Sequence, residues 1–412
     1  MKTIHCIGAG GYAATLLNEA LRLFQSGGCT LGAVVVDPKV VAEPQFTEQV
    51  AQAKSQGWRV FSSFEDLISQ GSSPGDVLLL PLPIHLHAPF VIRALEAGFR
   101  VVCEKPVAGT LAEGRRMYEV AVAKEATDRL YFGYQHVLGP GMKEVRRILK
   151  TRELGDLLSI RVSIQWPRTI EYYTRNYWAG RLEAAGTRIL DSPIQNATAH
   201  FVHLMLLTAA DQGYEPVRVR ASHLRAYPTI DSADTQTLNI EVKNPSGQTL
   251  PIFFGVTHAS AEEVHPLIQW ECRGGTMKWT NTDELLVTRS GHGDRTLPST
   301  FEGHHVFSMP MRAATRGENP DVLGIGYRDS IRHTRVIEAA FQGIDSAHPV
   351  PQISERWVEN RQSQRVIHGI GKVLEYCSKN FVSLEQGARA LEVEGIGWAD
   401  EVLTLESEVL EN

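Results

Sequence analysis

The sequence predicts an α/β chain in two parts: a doubly wound parallel sheet of about six strands, then an α+β domain with a large, mostly antiparallel open sheet. Three observations predict it. Short apolar runs alternate with helical patterns through the first 134 residues. A glycine-rich turn follows the first run, and longer alternating segments replace the rhythm after Gln135.

Thr3 to Ile7 is an apolar run stopped by Gly8, after which Leu16, Leu17, Ala20, Leu21 and Leu23 return at helical spacing. Leu31 to Val36 is a second strand, ended by Asp37-Pro38, and Trp58 to Phe61 a third, before a Ser-Ser cap and a helix from Phe64 to Ile68. Val77 to Leu80 is apolar throughout, as a strand buried on both faces must be. Helix Pro89 to Ala97, strand Arg100 to Cys103, helix Leu111 to Ala126 and strand Leu130 to Tyr134 complete the first domain, residues 1–134.

The second domain, residues 135–412, opens with a helix from Gly141 to Arg152. Leu158 to Gln165, Val217 to Ala226, Thr237 to Val242 and Thr249 to Thr257 read as antiparallel strands. Two helical patterns, Asp329 to Phe341 and Glu355 to Tyr376, close it, and an acidic tail beyond Trp398 is expected to contribute little. An open antiparallel sheet presents a face that helices or another subunit must cover, which suggests a homo-oligomer, a dimer or tetramer.

Charged residues are 21% of the 412 and the formal net charge is -6, so no broad positive field exists to attract nucleic acid or anionic lipid. Five cysteines stand far apart without C-x-x-C spacing, and the first strand begins almost at Met1 without a secretory leader. A reduced, cytoplasmic setting is the expectation. No apolar stretch reaches the roughly 20 residues of a membrane span.

Gly8-Ala9-Gly10-Gly11-Tyr12-Ala13 fits G-x-G-x-x-G/A between a strand and a helix. The small residues there allow a tight turn, a close approach of backbone to pyrophosphate and tight helix packing, the signature of a Rossmann dinucleotide site. Asp37, at the end of the second strand, would hydrogen-bond the adenosine ribose hydroxyls and repel a 2'-phosphate, favouring NAD over NADP. Lys39 could instead reach such a phosphate if its loop folds back.

Leu82-Pro83-Ile84-His85-Leu86-His87, Ala94 to Gly98 and Cys103-Glu104-Lys105-Pro106 follow in order. With this combination the chain resembles the Gfo/Idh/MocA family of NAD(P)-dependent sugar oxidoreductases. The similarity continues at Gly133-Tyr134-Gln135, Gly155-Asp156, Trp178 to Arg181 and Asp191 to His203, and fades beyond about residue 260. It implies that Pro83 and His87 line the nicotinamide ribose pocket, and that Tyr12, Glu104, Gln135, Trp178 and Arg181 also belong to the cofactor site. It places Lys105 beside nicotinamide and substrate.

The residues make a separate case for Lys105. A lysine between Val101-Val102-Cys103 and Pro106 stands at the carboxyl end of a central strand, where doubly wound sheets bind ligands. Burial and the positive nicotinamide would lower its pKa, suiting it to take a hydroxyl proton as hydride leaves. The Lys105–Pro106 bond is a candidate for the cis form.

In the second domain the family pattern carries an aspartate and, four residues on, a histidine. Asp191 keeps its place, but Pro193 replaces a glycine and Gln195 stands where the histidine is expected. Gln195 can orient a hydroxyl but cannot shuttle its proton. The acid-base task then falls to Lys105, Asp191 or a histidine further along the same helix, where Asn196, His200 and His203 would share a face; Asp191 and Ser192 could equally cap that helix.

Upstream, Tyr172 to Arg181 concentrates aromatics and hydrogen-bonding groups suited to sugar rings, with Tyr173, Arg175 and Asn176 as substrate candidates. An anionic substrate group is compatible with its arginines. Gly291 to Asp294 and Gly303-His304-His305 lack metal-ligand spacing, so no metal is expected.

The resemblance therefore implies hydride transfer between a secondary hydroxyl of a sugar, cyclic polyol or glycoside and NAD, with Lys105 as acid/base. A redox-assisted glycoside hydrolase with tightly bound, recycled NAD is the alternative. A regulator that keeps the fold without chemistry is a third reading, which the presence of Lys105 and Asp191 opposes.

Overall fold

The computed structural model describes residues 1–36, 47–298, 305–391 and 402–408. The first sheet is built from β1 (Thr3–Ile7), α1 (Tyr12–Gln25), β2 (Thr30–Val35), α2 (Thr47–Ser55), β3 (Arg59–Phe61), α3 (Phe64–Gln70), β4 (Val77–Leu80), α4 (Ile84–Glu96), β5 (Arg100–Cys103), α5 (Leu111–Ala123) and β6 (Leu130–Phe132). Its strand order is β3-β2-β1-β4-β5-β6, and every pair is parallel. Val77 to Leu80 are fully buried because this strand has a neighbour on each edge and cover on both faces. α1 turns Ala13, Leu16, Leu17, Ala20 and Leu23 inward from a polar outer face. α4 begins at Ile84, earlier than the pattern suggests, and contains Pro89, whose missing N–H falls in the second turn.

The second sheet holds nine strands. After α6 (Pro140–Thr151) come β7 (Leu157–Gln165), α7 (Ile170–Thr174), the short pair β8 (Glu183–Ala184) and β9 (Thr187–Arg188), α8 (Ala199–Ala210), β10 (Glu215–Leu224), β11 (Thr235–Lys243), β12 (Thr249–Thr257), β13 (Leu267–Cys272), β14 (Gly275–Thr280), β15 (Leu285–Arg289) and β16 (Arg295–Leu297). α9 (His305–Arg316), α10 (Pro320–Leu323), α11 (Tyr327–Ala340), β17 (Val358–Arg361), β18 (Gln364–Ile367), α12 (Ile370–Asn380), α13 (Leu384–Ala390) and β19 (Leu403–Glu408) follow. The large sheet runs β16-β15-β14-β13-β7-β12-β11-β10-β19 and is antiparallel except where β12 meets β7. α8 is apolar on nearly every side and almost wholly buried; Trp270 on β13 donates to its Thr208 at 3.0 Å.

The chain forms two compact units, residues 1–139 with 301–331, and residues 140–300 with 332–412. The return of 301–331 to the first unit interrupts a division drawn once near residue 135. α9 packs on α1, β4 and β5, and edge strand β6 receives the Ile325 carbonyl at Phe132 N and gives Tyr131 Oη to the Glu318 carbonyl.

Two expectations are corrected. Glu355 to Tyr376 is not one helix: a single 3-10 turn leads into the β17–β18 hairpin, turned at Gln362 with φ 56°, and helix resumes only at Ile370 after Gly369. Val358, Val366 and Ile367 are β-branched and buried, so the pairing they gain outweighs the helical periodicity around them. The acidic tail is also structural, since residues 403–408 pair with β10 as the sheet's last strand, where Glu406 meets Arg218 and Arg220. All five cysteines are free and buried. No helix among the described residues is long and apolar enough to cross a membrane.

Candidate active site

In the first unit, three turns leave the carboxyl ends of β1, β4 and β5. Gly8, at φ 98°, donates to the Val35 carbonyl, and Gly11, at φ 57°, occupies the N-cap of α1. These backbone conformations exclude most side chains. No side chain caps α1 and open space surrounds the missing Gly11 Cβ, so an anion can approach the backbone at the helix start, where Ala13 N and Ala14 N already donate to the Gly10 and Gly11 carbonyls. The residues present fit a dinucleotide pyrophosphate. Asp37, Lys39 and His304 lie outside the described residues.

β4 leads through Leu82 and Pro83 into α4, and β5 leads into Glu104, Lys105 and Pro106, with the Lys105–Pro106 bond cis. His87 joins the two turns. Its ring is fully buried, with Nδ1 2.9 Å from the Pro106 carbonyl and Nε2 2.9 Å from the Leu82 carbonyl. Burial lowers its pKa, against the pull of those carbonyls. The neutral ring carries one N–H, so it donates to one of these carbonyls while its other nitrogen lies beside the second, and the ring spans the two turns.

Glu104 folds back beneath this corner. Its carboxylate accepts from Lys105 N at 3.3 Å and from the Tyr12 hydroxyl. It lies so close to Gly133 that a Cβ there would come within 2.7 Å of Oε1. Burial raises its pKa to about 7, while the Lys105 charge pulls the other way. Tyr12, Glu104 and Lys105 therefore form one cluster, and Gln135 is buried in the 3-10 turn after β6. Pro83 is half-buried at the N-cap of α4.

In the second unit, Asn176 folds its own loop: its Oδ1 accepts from Trp178 N at 3.1 Å and Ala179 N at 2.8 Å. Arg181 stands 4.0 Å from Asp231. Asp191 is 3% exposed, follows Leu190 at φ 55°, and accepts from Gly180 N at 2.6 Å and Asn196 Nδ2 at 2.8 Å. Asp191, Asn196 and the Trp178 loop are therefore brought together. Gln195 is fully buried and donates to the Ile189 carbonyl at 3.2 Å.

The single helix expected to carry Asn196, His200 and His203 is not present. Pro193–Ala197 forms one π-helical turn, broken at Thr198 before α8 starts at Ala199. Pro193, lacking an N–H, and the Thr198 N–H and Oγ1 bonds to its carbonyl account for the separate turn. Ser192 occupies its N-cap without a side-chain cap bond, and the Asp191 carboxylate serves Gly180 and Asn196 instead. His200 is half-buried near Phe201, and His203 is fully buried.

Tyr173, a substrate candidate, is buried with its hydroxyl 2.9 Å from His258 Nδ1. His258 and its neighbour Arg168 escaped the sequence reading. His258 follows β12, where the family resemblance runs out, and its only signal was a histidine just beyond an apolar strand. Among the described residues no three His, Cys, Asp or Glu side chains converge as a metal site would require.

Comparison with known proteins agrees with this geometry. Residues 2–134 match the family model described as GFO_IDH_MocA, oxidoreductase family, NAD-binding Rossmann fold. Inositol 2-dehydrogenase of Corynebacterium glutamicum is 26% identical over 171 residues, 39% of this chain, and the match spans 50% of that protein's length. A dTDP-3,4-didehydro-2,6-dideoxy-alpha-D-glucose 3-reductase of Actinomadura kijaniata is 23% identical over 82% of this chain and 95% of its own. The WlbA dehydrogenase of Bordetella pertussis, solved with NADH and UDP-GlcNAcA, shares the fold at a TM-score of 0.63 and 19% identity, over 85% of this chain and 99% of that one. Residues 2–134, about a third of the chain, are thus similar to the NAD-binding Rossmann domain of the Gfo/Idh/MocA oxidoreductases, and the match spans about half the length of the inositol dehydrogenase.

Proposed function

We propose that the chain is an NAD-dependent oxidoreductase that moves hydride between nicotinamide and a secondary hydroxyl of a sugar, cyclic polyol or glycoside, with Lys105 as acid/base. The observation that carries this reading is the corner at the end of β5. There Lys105 stands beside the carboxyl of half-buried Glu104, on a turn braced by His87, at the carboxyl end of the sheet where doubly wound folds bind ligands. The relatives named above act on sugars and polyols, which supports the substrate class.

NAD, when bound, supplies the hydride acceptor. The uncapped start of α1 binds its pyrophosphate, with Gly8, Gly10, Gly11, Tyr12 and Ala13 letting the backbone approach. Lys105 Nζ takes the hydroxyl proton as the carbon is oxidised and returns it in the reverse direction. Glu104 holds the turn through Lys105 N and tempers the local positive charge. Asp191, already oriented by Gly180 and Asn196, accepts a hydrogen bond from a substrate hydroxyl. The resemblance assigns Trp178 and Arg181 to the cofactor, and Tyr173, Arg175, Asn176, Gln195 and His200 are the further substrate candidates.

Absorbance at 340 nm with excess NAD and a panel of sugars, inositols and glycosides tests the reading. NADH growing past the enzyme concentration supports it. A rise limited to one equivalent while a glycoside disappears replaces it with redox-assisted hydrolysis, and a flat trace with every substrate refutes both. The homo-oligomer belongs to the same proposal and is read by sedimentation.

A further inference from the structure

Arg168 and Arg175 are cations without a carboxylate partner among the described residues, and they share one aromatic ring. The Arg168 guanidinium carbon lies 5.6 Å from the Trp166 ring centroid and 5.1 Å from that of Tyr172. That of Arg175 lies 3.8 Å over Tyr172 and 5.2 Å from Trp178. Cation–π contact orients both guanidiniums without neutralising either.

The mount is rigid. Arg168 N donates to the His258 carbonyl at 3.0 Å, and the Arg168 carbonyl accepts from the Tyr227 hydroxyl, which itself accepts from Arg365 N at 2.9 Å. Arg175 donates to the Tyr172 carbonyl. Beneath the ring, His258 is 1% exposed; Tyr173 occupies its Nδ1, and its Nε2 has no partner among the described residues. Burial, then the two guanidiniums, hold this imidazole neutral. The Arg168 Nε is also buried without a partner.

The acids nearby are committed elsewhere. Asp191 serves Gly180 and Asn196, Asp234 accepts from Ala226 N, Tyr227 N and Thr235, and exposed Glu171 bonds Thr169. Two like charges around one ring repel, and a shared anion relieves that repulsion. Guanidiniums match carboxylate and phosphate oxygens through paired N–H donors, and the flanking aromatic faces suit the apolar side of a sugar ring.

We propose that Arg168, Arg175, Tyr172 and His258 form a subsite for an oxyanion substituent, a carboxylate or a phosphate, of the substrate. The proposal rests on the sugar-oxidoreductase reading for the rest of the ligand.

The test is a titration of the full chain with D-glucuronate, α-D-glucose 1-phosphate and D-glucose at low salt, read by isothermal calorimetry. At least one anionic sugar should bind about 10-fold or more tighter than glucose, and which one does so separates carboxylate from phosphate. The Arg168→Gln/Arg175→Gln variant should lose that preference, its affinities for the two anionic sugars falling to within a few-fold of its own affinity for glucose. Arg175→Gln alone, at an exposed side chain, keeps the test should the double variant not fold. Equal affinities, a preference that survives both substitutions, or no saturable response to either anion up to about 10 mM overturns the proposal. NADH formation is followed in parallel. Anion preference without NADH removes the oxidoreductase and leaves the subsite, and NADH formation without preference does the reverse.

Discussion

The turn after β5 and the loop after β7 both hold charged side chains in place, but by opposite means. Around Lys105 the work is done by backbone and by absent atoms: a glycine at 133 that leaves room for Glu104, and two carbonyls that flank His87. Around Arg168 it is done by side chains, rings and guanidiniums layered on one another. A backbone-built corner tolerates almost no added volume, whereas a side-chain stack can lose one layer and keep its frame.

The largest effect expected is chemical. Lys105→Met should lower kcat by roughly 1,000-fold, with NADH affinity within a few-fold of wild type, measured by steady-state absorbance and fluorescence titration. A loss carried entirely by NADH affinity would make Lys105 a cofactor anchor. Gly133→Ala changes no proposed ligand contact, yet should destabilise the fold by about 1–3 kcal/mol in urea unfolding and weaken NADH binding as Glu104 is displaced. A neutral result would show the corner softer than the comparison requires.

His87→Leu fills similar space and leaves bare the one carbonyl to which the neutral ring donates, a loss of about 1–2 kcal/mol. Retained stability there, with lowered kcat, would show His87 acting beyond its brace.

Glu104 gives a pH test. Its folded pKa of about 7 lies above the ordinary 4.5, so folding favours the protonated form. That contribution is complete below pH 4.5 and is lost as pH rises through 7. Glu104→Gln should match wild type near pH 4.5 and exceed it above pH 7, by on the order of 2 kcal/mol in the apo protein. A pH-independent difference would contradict the assignment. The smallest effect is expected at the sheet edge, where Glu406→Gln breaks half-exposed pairs with Arg218 and Arg220 and should shift stability by less than about 1 kcal/mol.

The same contrast explains what the sequence made legible. Val77–Leu80, Arg100–Cys103 and Thr249–Thr257 lie where their apolar patterns put them, because buried strands declare themselves within a few residues. The glycine turn and the Glu-Lys-Pro corner were readable for the same local reason. The β17–β18 hairpin was not, since its pairing overrides helical spacing, and neither was β19, whose partner lies about 180 residues earlier. His258, Arg168 and the π turn at Pro193 depend on contacts between distant segments. Pattern alone also could not show that the Gln195 amide turns toward Ile189.

The return of residues 301–331 to the first unit sets an order in time. Tyr131 finds its acceptor at Glu318, 187 positions later, so a chain emerging from the ribosome presents β6 with that bond unmade until the later segment arrives. Closing so long an interval is slow compared with local helix formation. The dinucleotide half of this protein thus begins first and is completed late, and residues 1–139 expressed alone would expose the surface of β4 and β5 that α9 covers.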